Sequence, residues 1–130
     1  MSKKQKFEEE YELRASPKML YPYLNSASGL SVWFADDVKV TPDKVFLIEW
    51  EGEIHKAKIT AQKLNSFVRL EFLPKPEDTD PSYIEFKIDT NDLTQTTFLK
   101  VADYSDMVDD EEFHDLWDFL VLKLKEIVGG

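Results

Sequence analysis

The sequence predicts an α+β domain, a curved antiparallel sheet of about six to seven strands closed by one long C-terminal helix, with two short helices after the first strand. Three observations carry this expectation. Apolar residues near the C-terminus recur at three- and four-residue spacing, the signature of a helix with one buried face. Between Val38 and Tyr104 the period falls to two, which argues a series of half-buried strands. The order strand, short helices, strands, helix places consecutive strands antiparallel and gathers the helices on one face of the sheet.

Phe7, Glu9, Tyr11, Leu13 and Ala15 alternate with Lys6, Glu8, Glu10, Glu12 and Arg14, so the first segment reads as a strand, with Glu9 the one breach in its inner row. Ser16 and Pro17 follow as N-cap and first helical residue, and Met19, Leu20, Tyr23 and Leu24 give that short helix its apolar side. Ser28 is the expected cap of a second short helix in which Leu30, Trp33 and Phe34 share a face. Val38 to Thr41 is a weak strand. Lys44 to Trp50 and Glu53 to Leu64 are joined by Glu51 and Gly52, a tight hairpin turn because glycine tolerates the positive φ such turns need. In that register Phe46, Ile48 and Trp50 share a face with His55, Ala57, Ile59 and Ala61. Ser66 to Leu73, Tyr83 to Asp89 and Leu93 to Val101 complete the strands, separated by a loop at Pro74 to Pro81 and a turn at Thr90 to Asp92. Alternation does not decide whether Phe98 or Leu99 meets the closing helix.

That helix is expected over Asp106 to Gly130. Phe113, Leu116, Trp117, Leu120, Leu124, Ile127 and Val128 form its apolar face, Asp109 and Glu112 read as a capping box, and Gly129 and Gly130 supply a C-terminal stop. Phe119, Val121 and Leu122 widen the stripe, so part of a second face also leaves water, against the sheet or against a second copy of the chain.

Composition narrows the function. A chain of 130 residues is one domain and buries roughly two-thirds of its unfolded surface. The formal net charge of −10 opposes binding to nucleic acid and to anionic lipid headgroups. The absence of cysteine excludes disulfides, thiolate zinc sites and cysteine nucleophiles. Met1 to Lys6 is polar with no apolar run behind it, and no apolar stretch approaches the roughly 20 residues of a membrane helix. A cytoplasmic protein without membrane insertion, monomeric or homodimeric, is the expectation.

The residues Arg14 to Pro17, Gly29 and Leu30, Trp33 and Phe34, the strand reading Thr94 to Val101, and the closing helix Phe113 to Val128 with Trp117 resemble the START-like, helix-grip (SRPBCC) superfamily. Within it, the chain is similar to homologues of the activator of heat-shock-protein-90 ATPase. The resemblance covers nearly the whole chain, taken as a single domain over residues 1–130. It implies a cavity between helix and sheet that holds lipids or other apolar ligands in some members and serves partner recognition in others. It supplies no catalytic residue.

Two readings follow. In the first, the chain is a non-catalytic module for a small apolar, lipid-like ligand; Phe34, Phe46, Ile48, Trp50, Phe72, Phe86, Phe98 and Phe119 line the cavity and His55 orients the ligand. Large aromatics opposite Ala57 and Ala61 leave space for one, although the same residues can also interdigitate and fill it. In the second, the chain is a protein-interaction domain whose acidic belt, Asp103, Asp106, Asp109, Asp110, Glu111, Glu112 and Asp115, meets a basic partner. Catalysis is not expected. His55 and His114 are the only histidines, with no phosphate loop or nucleophile elbow beside them. Glu49, Glu51 and Glu53 have Lys56 and Lys58 as ordinary cross-strand partners. Asp110, His114 and Asp118 recur at four-residue spacing but read better as a solvated charge row than as metal ligands, so neither metal nor cofactor is expected.

Overall fold

The computed structural model describes residues 4–74, 80–106 and 110–129. Its elements are β1 (Lys4–Leu13), α1 (Pro17–Leu20), α2 (Pro22–Asn25), α3 (Ala27–Leu30), β2 (Asp37–Val40), β3 (Phe46–Trp50), β4 (Glu53–Lys63), β5 (Phe67–Phe72), β6 (Tyr83–Asn91), β7 (Thr96–Asp106) and α4 (Asp110–Val128). The strands form one seven-stranded antiparallel sheet in the order β1-β7-β6-β5-β4-β3-β2, so the first strand pairs with the last. The core lies between the concave face of this sheet and α1–α4.

Ser16 caps α1 as expected, its hydroxyl accepting from the Met19 N–H at 3.2 Å, with Pro17 in the first turn. Where two short helices were expected there are three single turns. Pro22, which cannot donate a backbone bond, breaks the first expected helix into α1 and α2. The cap of α3 is Ser26 rather than Ser28, because Ser26 Oγ accepts from Gly29 N at 3.0 Å. Leu30, Trp33 and Phe34 are nevertheless buried together.

The β3–β4 turn has Glu51 at φ 51° and Gly52 at φ 82°, the two positive values of a type I′ hairpin. Asp36 Oδ2 accepts from Glu51 N at 2.8 Å and ties this turn to the end of the helical segment. The register pairs Phe46 with Ala57 and Ile48 with His55, as the two-residue turn requires. A bulge between Ile59 and Ala61 then shifts β4 by one residue. Ala61 is turned out and exposed, and Gln62 takes the place opposite Val68 and accepts from the Tyr21 hydroxyl at 3.3 Å. The expectation of Ala61 on the inner face is corrected by that one added residue.

The loop between β6 and β7 falls at residues 92–95, later than expected, because the Asn91 side chain accepts from Leu93 N at 3.0 Å and Gln95 adopts φ 54°. Strand β7 therefore starts at Thr96 and runs on to Asp106. Its inner row is Thr97, Leu99, Val101 and Asp103, all buried, which settles the choice between Phe98 and Leu99 in favour of Leu99. Most of the Pro74 to Pro81 loop, and Asp109 of the expected capping box, lie outside the described residues.

Helix α4 packs through Trp117, Leu120, Val121, Leu124 and Val128. The buried stripe is rotated slightly from the expected one: Val121 is inside, while Leu116 and Ile127 are 47% and 41% exposed. The rotation is set by Trp117, whose ring contacts Phe34 and Phe86 at centroid distances of 5.9 and 6.1 Å and whose indole N–H donates to Asp103 Oδ2 at 3.0 Å. Asp103 also accepts from Ser105 at 3.0 Å. Burial raises the Asp103 carboxyl above its ordinary value, partly offset by these two donors.

Two stability predictions follow from this packing. At Gly29 an added Cβ would lie 2.1 Å from Pro22 O and 2.6 Å from Tyr23 Cα, both backbone atoms that cannot yield. Gly29→Ala is expected to destabilise by about 3 kcal/mol or more in denaturant unfolding, whereas Gly52→Ala, with open space but φ 82°, loses only about 1 kcal/mol. For Asp103, a folded-state value above the unfolded one means that its contribution is complete at low pH and lost as pH rises through the folded value. Asp103→Asn keeps an acceptor for Trp117 without the charge, so its stability relative to the parent should climb as pH rises from the ordinary carboxylate range through the raised folded-state value. Asp103→Ala strands the indole donor and should lose about 2 kcal/mol at low pH, a deficit that narrows as the parent's raised carboxyl ionises.

Candidate functional site

The aromatic side chains gathered by the turn after α3, the hairpin and the middle strands form one continuous cluster. Phe34, at its centre, meets Trp33 (5.5 Å), Trp50 (5.1 Å), Phe86 (6.1 Å) and Trp117 (5.9 Å) in tilted or edge-on arrangements. From Trp50 the cluster continues to His55 at 5.3 Å and Phe72 at 6.3 Å. Each of the three tryptophans has its N–H satisfied, Trp33 on Tyr23 O at 2.8 Å, Trp50 on Phe34 O at 2.9 Å and Trp117 on Asp103.

Of the nine residues expected around a cavity, Phe34, Phe46, Ile48 and Phe86 are buried in the core. Trp50 and Phe72 are half-buried, and His55 is exposed at the rim beside Glu53, 3.8 Å from its carboxylate. The interior portion is packed ring against ring. The open portion is the edge where Trp50, His55 and Phe72 meet. Among the described residues no buried side-chain nitrogen or oxygen lacks a hydrogen-bond partner, so a ligand's polar group would find its partner at the rim, where His55 stands.

Two expected lining residues lie elsewhere. Phe98 belongs to the outer row of β7, opposite Glu12 and Asp89, because the inner row is set by Leu99. Phe119 is 60% exposed on the far side of α4, two residues from the inward Trp117 and so turned about 200° away. Of the residues that widened the helical stripe, Val121 is buried in the core, whereas Phe119 and Leu122 face outward. Trp33 and Trp117, in contrast, belong to the cluster and had been read only as packing residues.

Alternation alone did not reveal a second, polar constellation. Glu9, the breach in the inner row of β1, places Oε2 at 3.1 Å from His114 Nε2. His114 Nδ1 is 3.0 Å from Asp118 Oδ2, and Asp118 Oδ1 accepts from the Tyr11 hydroxyl at 3.0 Å. Burial, then the hydrogen bond to Asp118, hold the Tyr11 phenol above its ordinary value. This chain ties β1 to α4. Ligand atoms of His114, Asp115 and Asp118 approach within 4.8 Å of one another, yet both imidazole nitrogens already face carboxylates. An open depression of about 280 Å³, lined by Tyr11, Asp118, Val121, Leu122 and Lys125, lies beside it.

With this geometry in place, similarity to known proteins becomes informative. A family model described as START-like superfamily domain matches residues 1–130. Aha1 from Colwellia psychrerythraea, solved as a dimer in solution, is 22% identical with a TM-score of 0.75, over 95% of this chain and 96% of that one. A Bacteroides fragilis protein solved by NMR is 33% identical with a TM-score of 0.63, over 98% and 92%. A Mesorhizobium loti protein is 15% identical with a TM-score of 0.75, over 96% and 97%. No curated protein matched the sequence. A sheet wrapped on a C-terminal helix, short helices after the first strand and a family match across every residue lead to one conclusion: the chain belongs to the START-like superfamily.

Proposed function

We propose that the protein is a non-catalytic binding module of the cytoplasm that holds a small apolar molecule at the rim formed by Trp50, His55 and Phe72. The observation that carries this reading is a single aromatic cluster running from the fully buried Phe34 and Phe86 to half-exposed rings at the surface. A ligand entering there covers Trp50 and Phe72, adds edge or face contacts to rings already fixed, and meets one polar side chain, His55. The rim lies beside the Glu51–Gly52 turn, whose tether to Asp36 fixes Trp50 relative to Phe34. No helix among the described residues is long and apolar enough to cross a membrane.

A second reading is a protein-interaction domain of the chaperone ATPase-activator type. It draws on the fold shared with Aha1 and on the exposed acidic start of α4 at Glu111, Glu112 and Asp115.

The first reading is tested with fatty acids and sterols as probes, by native mass spectrometry and tryptophan fluorescence. A retained probe should quench or shift Trp50 emission and, at a hundredfold excess over its dissociation constant, stabilise the protein by about 2.7 kcal/mol. Trp50→Ala should weaken binding about tenfold or more, while Leu93→Ala, in the distant β6–β7 loop, leaves it unchanged. Absence of any stabilisation or retained mass across the panel sinks the ligand reading and leaves the aromatic cluster as filled core.

A further inference from the structure

Helix α4 carries a second apolar surface that the core does not use. Trp117, Val121 and Leu124 point into the sheet; at 100° per residue, Phe119 falls nearly opposite, with Leu122 and Leu116 on its two flanks. Leu116, Phe119 and Leu122 are 47%, 60% and 56% exposed, and they make a continuous row centred on Phe119. Around that row stand Glu112 and Asp115 toward the N-terminal end of the helix and Lys123 toward the C-terminal end, with the Lys123 ammonium 5.8 Å from the Phe119 ring.

We propose that this face is the contact of a two-fold symmetric homodimer in which two α4 helices cross antiparallel with Phe119 on the axis. The charges select both occupant and direction. With Phe119 opposite its copy, antiparallel helices bring Asp115 against the partner's Lys123 and Lys123 against the partner's Asp115. Leu116 then faces the partner's Leu122. A parallel pair would instead set Asp115 against Asp115 and Lys123 against Lys123, an arrangement like charges oppose. The surface is thus complementary to itself in one orientation, which an isologous contact requires. Glu112 and Glu126, the one like-charged pair this register creates, lie about 10 Å along the helix from the axis, where crossed helices have separated.

A contact of one helix per subunit is at the small end for protein interfaces, so the dimer should be concentration-dependent, with a dissociation constant in the micromolar range. The contact is remote from Trp50 and His55, so its failure would leave the ligand reading intact. The test is sedimentation equilibrium from about 1 µM to about 200 µM on the full chain. The parent should associate to a dimer and no further. Phe119→Glu, at an exposed position that the fold does not depend on, should raise the dissociation constant about thirtyfold or more. Asp115→Lys should weaken association, and the double variant Asp115→Lys with Lys123→Asp should recover it. Because the chain has no cysteine, Phe119→Cys should oxidise to a covalent dimer across the axis while Glu112→Cys does not. A parent that stays monomeric at the highest concentration, a dimer that Phe119→Glu leaves intact, or a charge exchange that restores nothing overturns the proposal.

Discussion

The structure depends on how Trp117 is held. Its ring lies against Phe34 from the helical segment and Phe86 from the middle of the sheet, while its indole N–H is fixed by Asp103 on β7. One side chain of α4 thereby contacts three separate parts of the chain and sets the rotation of the whole helix. Everything that follows along α4 is registered to it: Leu120, Val121, Leu124 and Val128 turn inward, and Phe119 turns out. A buried carboxylate is an expensive anchor, yet with donors from Trp117 and Ser105 it gives the helix a directional contact that apolar packing alone cannot supply.

Much of this architecture was legible in the sequence because it depends on short-range rules. The alternation of Phe7, Tyr11 and Leu13, the Glu51–Gly52 turn, the Ser16–Pro17 helix start and the helical spacing around Trp117 each reflect local geometry, and each appears where the pattern places it. Part of what escaped was local, as at Pro22, Ser26 and Asn91, and part was set by strand pairing. The β4 bulge that expels Ala61 arises in pairing with β5, and the inward choice of Leu99 over Phe98 follows from pairing with β1 and β6. Strand β7 offers apolar residues on both faces, so period two carries no sign there.

The candidate site was legible to the same degree. Phe34, Phe46, Ile48, Trp50, Phe72 and Phe86 do converge, with His55 at their edge, because the hairpin register that was read from Glu51 and Gly52 fixes most of them. Their distribution between filled interior and open rim could not be read, since it depends on how Trp33 and Trp117 complete the cluster. Glu9 is the instructive residue. A charge in an otherwise apolar row is a local inconsistency, and it is resolved across space by His114, itself held by Asp118 and thence Tyr11.

The pairing of β1 with β7 has a consequence for how the chain comes to exist. Strand β1 precedes the rest of the fold in the chain, yet among the described residues its neighbour in the sheet is β7, with α1 to α3 and β2 to β6 made in between. Strands β2 to β6 can form their hairpins as they emerge, but β1 must wait, its inner row uncovered, until the last strand and then α4 arrive. The strongly charged composition of β1, with Lys4, Lys6, Glu8, Glu10 and Glu12, keeps that waiting edge from recruiting neighbouring chains. Completion of the fold is thus deferred until both β7 and α4 have emerged.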